Sequence, residues 1–86
     1  MEREIIVPPE LEGGAYAHYV SVWSTAYDFT LDFAVGVDEG DAASLLVVSR
    51  VRLPVTMMFT FIREANASLS EYEARYGEIR PPEDPE

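Results

Sequence analysis

The chain contains no cysteine, so no disulfide can staple it and no thiolate can act as nucleophile or metal ligand. That absence also suits a reducing compartment. A single histidine, His18, leaves a nitrogen–sulfur metal site or a nucleophilic triad without its parts. No stretch approaches the ~18 consecutive apolar residues of a membrane span. The segment Met1-Glu2-Arg3-Glu4 lacks the basic start and apolar stretch of a secretory leader. The expectation is therefore a cytoplasmic protein with no membrane partner. Lysine is missing as well: all six basic residues are arginines, against 16 acidic ones, for a net charge of −10. A surface of that sign repels phosphate backbones, and with no local basic patch in view a nucleic-acid partner is not expected. Nor is there a glycine-rich phosphate loop, since Gly13-Gly14 alone marks a bend.

What is present is enough for one small domain. At 86 residues and 48% hydrophobic composition the chain is neither multidomain nor globally disordered. Residues 1–13 read as a flexible or short-strand entry, 14–79 as the folded domain, and 80–86 as a disordered acidic, proline-rich tail. A core of this length is marginal on its own, and oligomerisation commonly supplies the rest.

Tyr16 to Trp23 is rich in aromatic and β-branched residues, Asp28 to Val35 alternates strictly, and Leu45 to Leu53 is strongly apolar with two late arginines. These are three strands, joined by Ser24 to Tyr27 and by Gly36 to Ala43. Glu4 to Val7 would add a fourth if it pairs, although Pro8-Pro9 stops it. Setting Trp23 opposite Asp28, and Val35 opposite Leu45, gives two unequal faces. One carries Tyr16, His18, Val20 and Val22 with Phe29, Leu31, Phe33 and Val35, then Leu45, Val47, Val51 and Leu53. The other sets Asp28 near Arg52 and Thr30 near Arg50, with Tyr19, Trp23, Leu46 and Val48 as apolar bodies on an amphipathic surface.

From Pro54 to Gly77 the pattern is helical, with proline suited to the first turn and glycine to the C-terminal cap. Met58, Ile62, Ala65, Leu69, Tyr72 and Tyr76 form one stripe. Val55, Met57, Phe59 and Phe61 widen its N-terminal half to an arc of about 200°. An arc that wide needs two neighbours: the sheet, and a second copy of the chain with Met57 or Phe59 at the contact. The expected fold is α+β, a three-stranded antiparallel meander, four-stranded if the N-terminal segment pairs, packed by one C-terminal helix.

The segments Gly14 to Ala17, Tyr27 to Phe33 and Tyr72 to Ile79 resemble those of an uncharacterised family of short prokaryotic proteins, the domain of unknown function 3467 (DUF3467). The resemblance covers about Gly14 to Ile79 and implies no activity, catalytic residue or cofactor. Members resembling this chain usually carry a Ser-Pro start and a basic first helical half, whereas Leu53 to Phe61 here is almost wholly apolar.

Candidate chemistry is sparse. Asp28 and Asp32 on one strand stand roughly 13 Å apart, beyond the ~5–9.5 Å of paired-carboxylate glycosidases, and are better read as cross-strand partners of Arg52 and Arg50. His18 reads as a core or rim residue. The turn Asp38-Glu39-Gly40-Asp41 lacks the ligand series of a calcium loop and reads as a solvated turn. Asn66-Ala67-Ser68 matches a glycosylation acceptor but falls mid-helix. No catalytic, cofactor or metal residue is therefore assigned. The expectation is a non-enzymatic protein that forms a homodimer or higher homo-oligomer and binds a protein partner. Its contact residues are Tyr19, Trp23, Leu46 and Val48 on the sheet with Met57, Phe59 and Phe61 on the helix. A SecB-like holdase and a ligand or enzymatic site assembled at an oligomer interface are the alternatives.

Overall fold

The computed structural model describes residues 3–40 and 42–80. Residues 81–86 of the tail assigned to 80–86, and Asp41 of the acidic turn, lie outside the described residues. In chain order the elements are a 3-10 turn (Pro9–Leu11), β1 (Tyr19–Ser24), β2 (Asp28–Glu39), β3 (Ala42–Pro54) and α1 (Met57–Tyr76). The three strands form one antiparallel meander in the order β1-β2-β3, followed by the single helix, which is the α+β class expected. The chain divides into two compact units, Met1–Leu53 and Pro54–Glu86.

In the sheet unit, Glu4 to Val7 forms no strand. Pro8 and Pro9 have no N–H to donate to a ladder, and the chain turns instead through Pro9–Leu11. Strand β1 begins at Tyr19, later than its composition suggests, so Tyr16 and His18 precede it. Both are exposed and stack edge to face, 5.2 Å between ring centroids, rather than contributing to a sheet face as expected.

The β1–β2 register pairs Trp23 with Thr30, Val22 with Leu31 and Tyr19 with Ala34. This differs by two residues from the expected pairing of Trp23 with Asp28. The cause lies in the turn. The Thr25 hydroxyl accepts from the backbone N–H groups of Tyr27 (3.1 Å) and Asp28 (3.2 Å) and donates to the Asp28 carboxylate (3.0 Å). Together with the Thr25 N–H to Asp28 carbonyl bond of 2.9 Å, this closes a turn with two residues at its tip where a four-residue loop was expected. A shift of two preserves side-chain parity, so the faces survive it.

Strand β2 also runs on through Gly36 to Glu39, a stretch expected to be loop, because the alternation continues at Val35 and Val37 on either side of Gly36. The reversal into β3 is correspondingly tight, with Gly40 at φ +62°. Strand β3 extends to Pro54, which therefore closes a strand rather than opening the helix.

Along β2, odd positions Phe29, Leu31, Phe33, Val35 and Val37 share one face, and even positions Asp28, Thr30, Asp32 and Ala34 share the other. Leu31 and Ala34 are the buried apolar residues, and Thr30 is fully buried with no hydrogen-bond partner for its Oγ1 among the described residues.

In the helical unit, Thr56 precedes α1 without a side-chain capping bond. The C-terminus is better finished. Gly77 takes φ 104° and ψ 168°, a conformation open almost only to glycine, and its N–H reaches the Glu73 carbonyl at 2.9 Å. The Glu73 carboxylate also accepts from the Ile79 N–H at 3.0 Å, holding the exit of the chain. No residue of α1 is buried.

Candidate interaction surface

The even face of β2 is where polar and aromatic groups converge. Asp32 accepts two hydrogen bonds from the Arg50 guanidinium, from Nε at 2.5 Å and Nη2 at 2.9 Å, a fork geometry that fixes both side chains. The Trp23 indole N–H points to the same carboxylate at 3.4 Å, and the Arg50 Cζ lies 5.9 Å from the centroid of the Trp23 ring, within cation–π range. Arg50, read both as lying near Thr30 and as the partner of Asp32, engages Asp32. Four residues along β2, Asp28 pairs with Arg52 at 3.4 Å, as expected.

The Asp32 side chain is 13% exposed. Its carboxyl is held below the usual carboxylate range chiefly by the Arg50 hydrogen bond. Partial desolvation opposes this, and the Trp23 N–H and the Arg50 charge assist. The same contact raises Arg50 further above its ordinary range. Two acids matched by two arginines make this patch close to neutral on a chain of net charge −10.

The apolar candidates remain accessible. Exposure of the seven runs from 38% at Val48 to 77% at Phe59, with Trp23 at 43%. Tyr19 and Trp23 are on the same face of β1 as Asp32 is on β2, since Tyr19 pairs with Ala34 and Trp23 with Thr30. Because Arg50 and Arg52 reach the even face of β2, the alternation of β3 sets Leu46 and Val48 on that face too. At its other end a shallow open depression of about 200 Å³ is lined by Tyr19, Gly36, Asp38, Ala43, Ser44 and Leu45.

On α1, Met57 and Phe61 belong to the stripe that continues through Ile62, Ala65, Leu69 and Tyr72, whereas Phe59 stands about 60° beyond its edge. Tyr72 and Tyr76 stack at 4.9 Å between centroids. No helix among the described residues is long and apolar enough to cross a membrane. No group of three histidine, aspartate or glutamate side chains among them is placed to hold a metal ion.

Chemically, the arrangement offers contact area. The Trp23–Asp32–Arg50 cluster presents an indole whose ring orientation is fixed by two polar partners, the form in which tryptophan anchors an interface at little entropic cost. Sequence reasoning paired Asp32 with Arg50 but missed the indole bond. Its signal is the register itself, which brings Ser21 opposite Asp32 and leaves the neighbouring Trp23 within reach.

No curated protein and no solved structure matches the chain. A family model does, that of the protein of unknown function DUF3467, over residues 2–81. With nearly its whole length matched, this chain belongs to the DUF3467 family.

Proposed function

We propose that this protein is a non-enzymatic cytoplasmic interaction domain that works as a homo-oligomer and binds a further protein through the surface carrying Trp23. The observation that carries the reading is the disproportion between buried and exposed apolar side chains. Leu31 and Ala34 are buried, while Val20, Val22, Leu45, Leu46, Val47 and Val51 of the sheet and Met57, Phe61, Ile62 and Leu69 of the helix are exposed. Two buried aliphatic side chains among the described residues fall far short of a core for a chain of this length. Apolar surface on both sheet faces and along a helix is the mark of protomers completed by association.

The experiment is light scattering on the purified chain beside Met57→Glu. The reading expects two or more copies per particle in the wild type and a smaller particle in the variant. A folded monomer with the same mass in both would overturn it. A holdase is the second reading, favoured by Phe59, the most exposed apolar residue of α1. It predicts suppression of aggregation of a reduced, unfolding client at stoichiometric ratio, lost in Phe59→Ser.

A further inference from the structure

Strand β3 lies at the edge of the sheet, so along one side of its 13 residues the backbone N–H and C=O groups have no ladder partner among the described residues. Edges of such length are ordinarily blunted by charge, proline or a bulge, because an open edge templates pairing with another chain. From Ala42 to Ser49 this strand carries no charge and no proline; Arg50, Arg52 and Pro54 all fall at its C-terminal end.

The charge map of the whole chain singles out the same place. Residues 42–63 contain no aspartate or glutamate and carry +3, whereas residues 1–41 carry −8 and residues 64–86 carry −5. Two chains of net charge −10 repel each other at most approaches. The repulsion is weakest where each presents its acid-free stretch, and β3 makes up the first part of it. Orientation follows from the arginines. A parallel β3–β3 pair would set Arg50 and Arg52 against their own copies, like charge on like. An antiparallel pair sends them to opposite ends and leaves the uncharged segment Ala43 to Ser49 at the centre.

We propose that β3 pairs antiparallel with β3 of a second copy about a two-fold axis within Ala43 to Ser49, joining two three-stranded sheets into one of six strands. The contact is isologous and closes on itself. The proposal rests on the homo-oligomer reading above and adds a strand seam distinct from the helix contact that Met57→Glu tests. With the edges consumed there, Trp23 and its neighbours on the even face stay available to a different protein.

The natural lack of cysteine makes the test direct. Single variants Ser44→Cys, Leu45→Cys, Leu46→Cys, Val47→Cys, Val48→Cys and Ser49→Cys are oxidised with copper phenanthroline and run without reductant, beside Ser68→Cys on α1. In an antiparallel two-fold pair the residue on the axis faces its own copy with Cβ atoms about 4.5–5.5 Å apart. Each step along the strand separates the copies by a further 7 Å or so, so a cysteine two residues from the axis sits about 14 Å from its counterpart. The expected result is disulfide-linked dimer concentrated at one or two positions and falling away on both sides, with none for Ser68→Cys. Wild-type mass of two or more copies with no cross-linking anywhere on β3 would overturn the seam while leaving the oligomer intact. A monomeric wild-type mass would remove both. A uniform, low yield at every position would indicate random collision and count against the two-fold.

Discussion

Replacing Thr30 with valine should stabilise the protein. Thr30 is fully buried opposite Trp23, and its hydroxyl finds no partner among the described residues. A buried hydroxyl left unpaired costs about 1–3 kcal/mol of desolvation. Valine keeps the branched shape that suits a central strand and removes the polar atom. Allowing for imperfect repacking where the hydroxyl was, the net gain should be about 1 kcal/mol. In a domain of this size that corresponds to a rise of roughly 4–8 °C in Tm. Thermal unfolding followed by circular dichroism, at one fixed chain concentration, reads it directly. Thr30→Ala serves as the control, since it removes the same hydroxyl together with a methyl and should lose stability. Should Thr30→Val instead lower Tm by several degrees, the reasoning from an unpaired hydroxyl would be refuted.

Thr25→Ala should cost about 1 kcal/mol, because it removes the acceptor for two backbone N–H groups in the β1–β2 turn; urea unfolding checks it. Gly77→Ala meets no steric obstacle, but its φ of 104° is unfavourable for alanine, so the last turn of α1 should fray at a cost of about 1 kcal/mol, seen as lost helical ellipticity. Acid should weaken the Trp23 patch. The Asp32 carboxyl titrates in the folded protein below its ordinary value of 3.8, so the stability it contributes is present above that value and is lost as pH falls through the lower folded one. Asp32→Asn should flatten this part of the profile, and indole fluorescence against pH, wild type beside variant, is the check; identical profiles would contradict the assignment.

The alternation of Phe29, Leu31, Phe33 and Val35 was enough to show β2 and both its faces, because side-chain parity depends only on odd and even positions. Register was less legible. The pairing of Trp23 with Thr30 is decided by one hydroxyl, Thr25, bridging a turn that carries neither glycine nor asparagine. Strand ends were misread where local chemistry is ambivalent. Gly36 looked like the start of a loop although Val37 carries the alternation onward, and Pro54 suits the last residue of an edge strand as well as the first of a helix. The ion pairs Asp28–Arg52 and Asp32–Arg50 were readable because like parity and opposite charge coincide. The indole bond to Asp32 was not, since it depends on a diagonal reach that alternation does not encode. His18 was misplaced for a simpler reason: aromatic neighbours at Tyr16 and Tyr19 gave strand composition to residues that lie ahead of β1.

That the protomer is completed by association is tested most directly by the dependence of Tm on chain concentration. For a chain whose folding is coupled to dimer formation, a hundredfold dilution should lower Tm by roughly 5–10 °C, since mass action then withdraws stabilisation of the folded state. A Tm that does not move over that range, together with a monomeric mass, would contradict it.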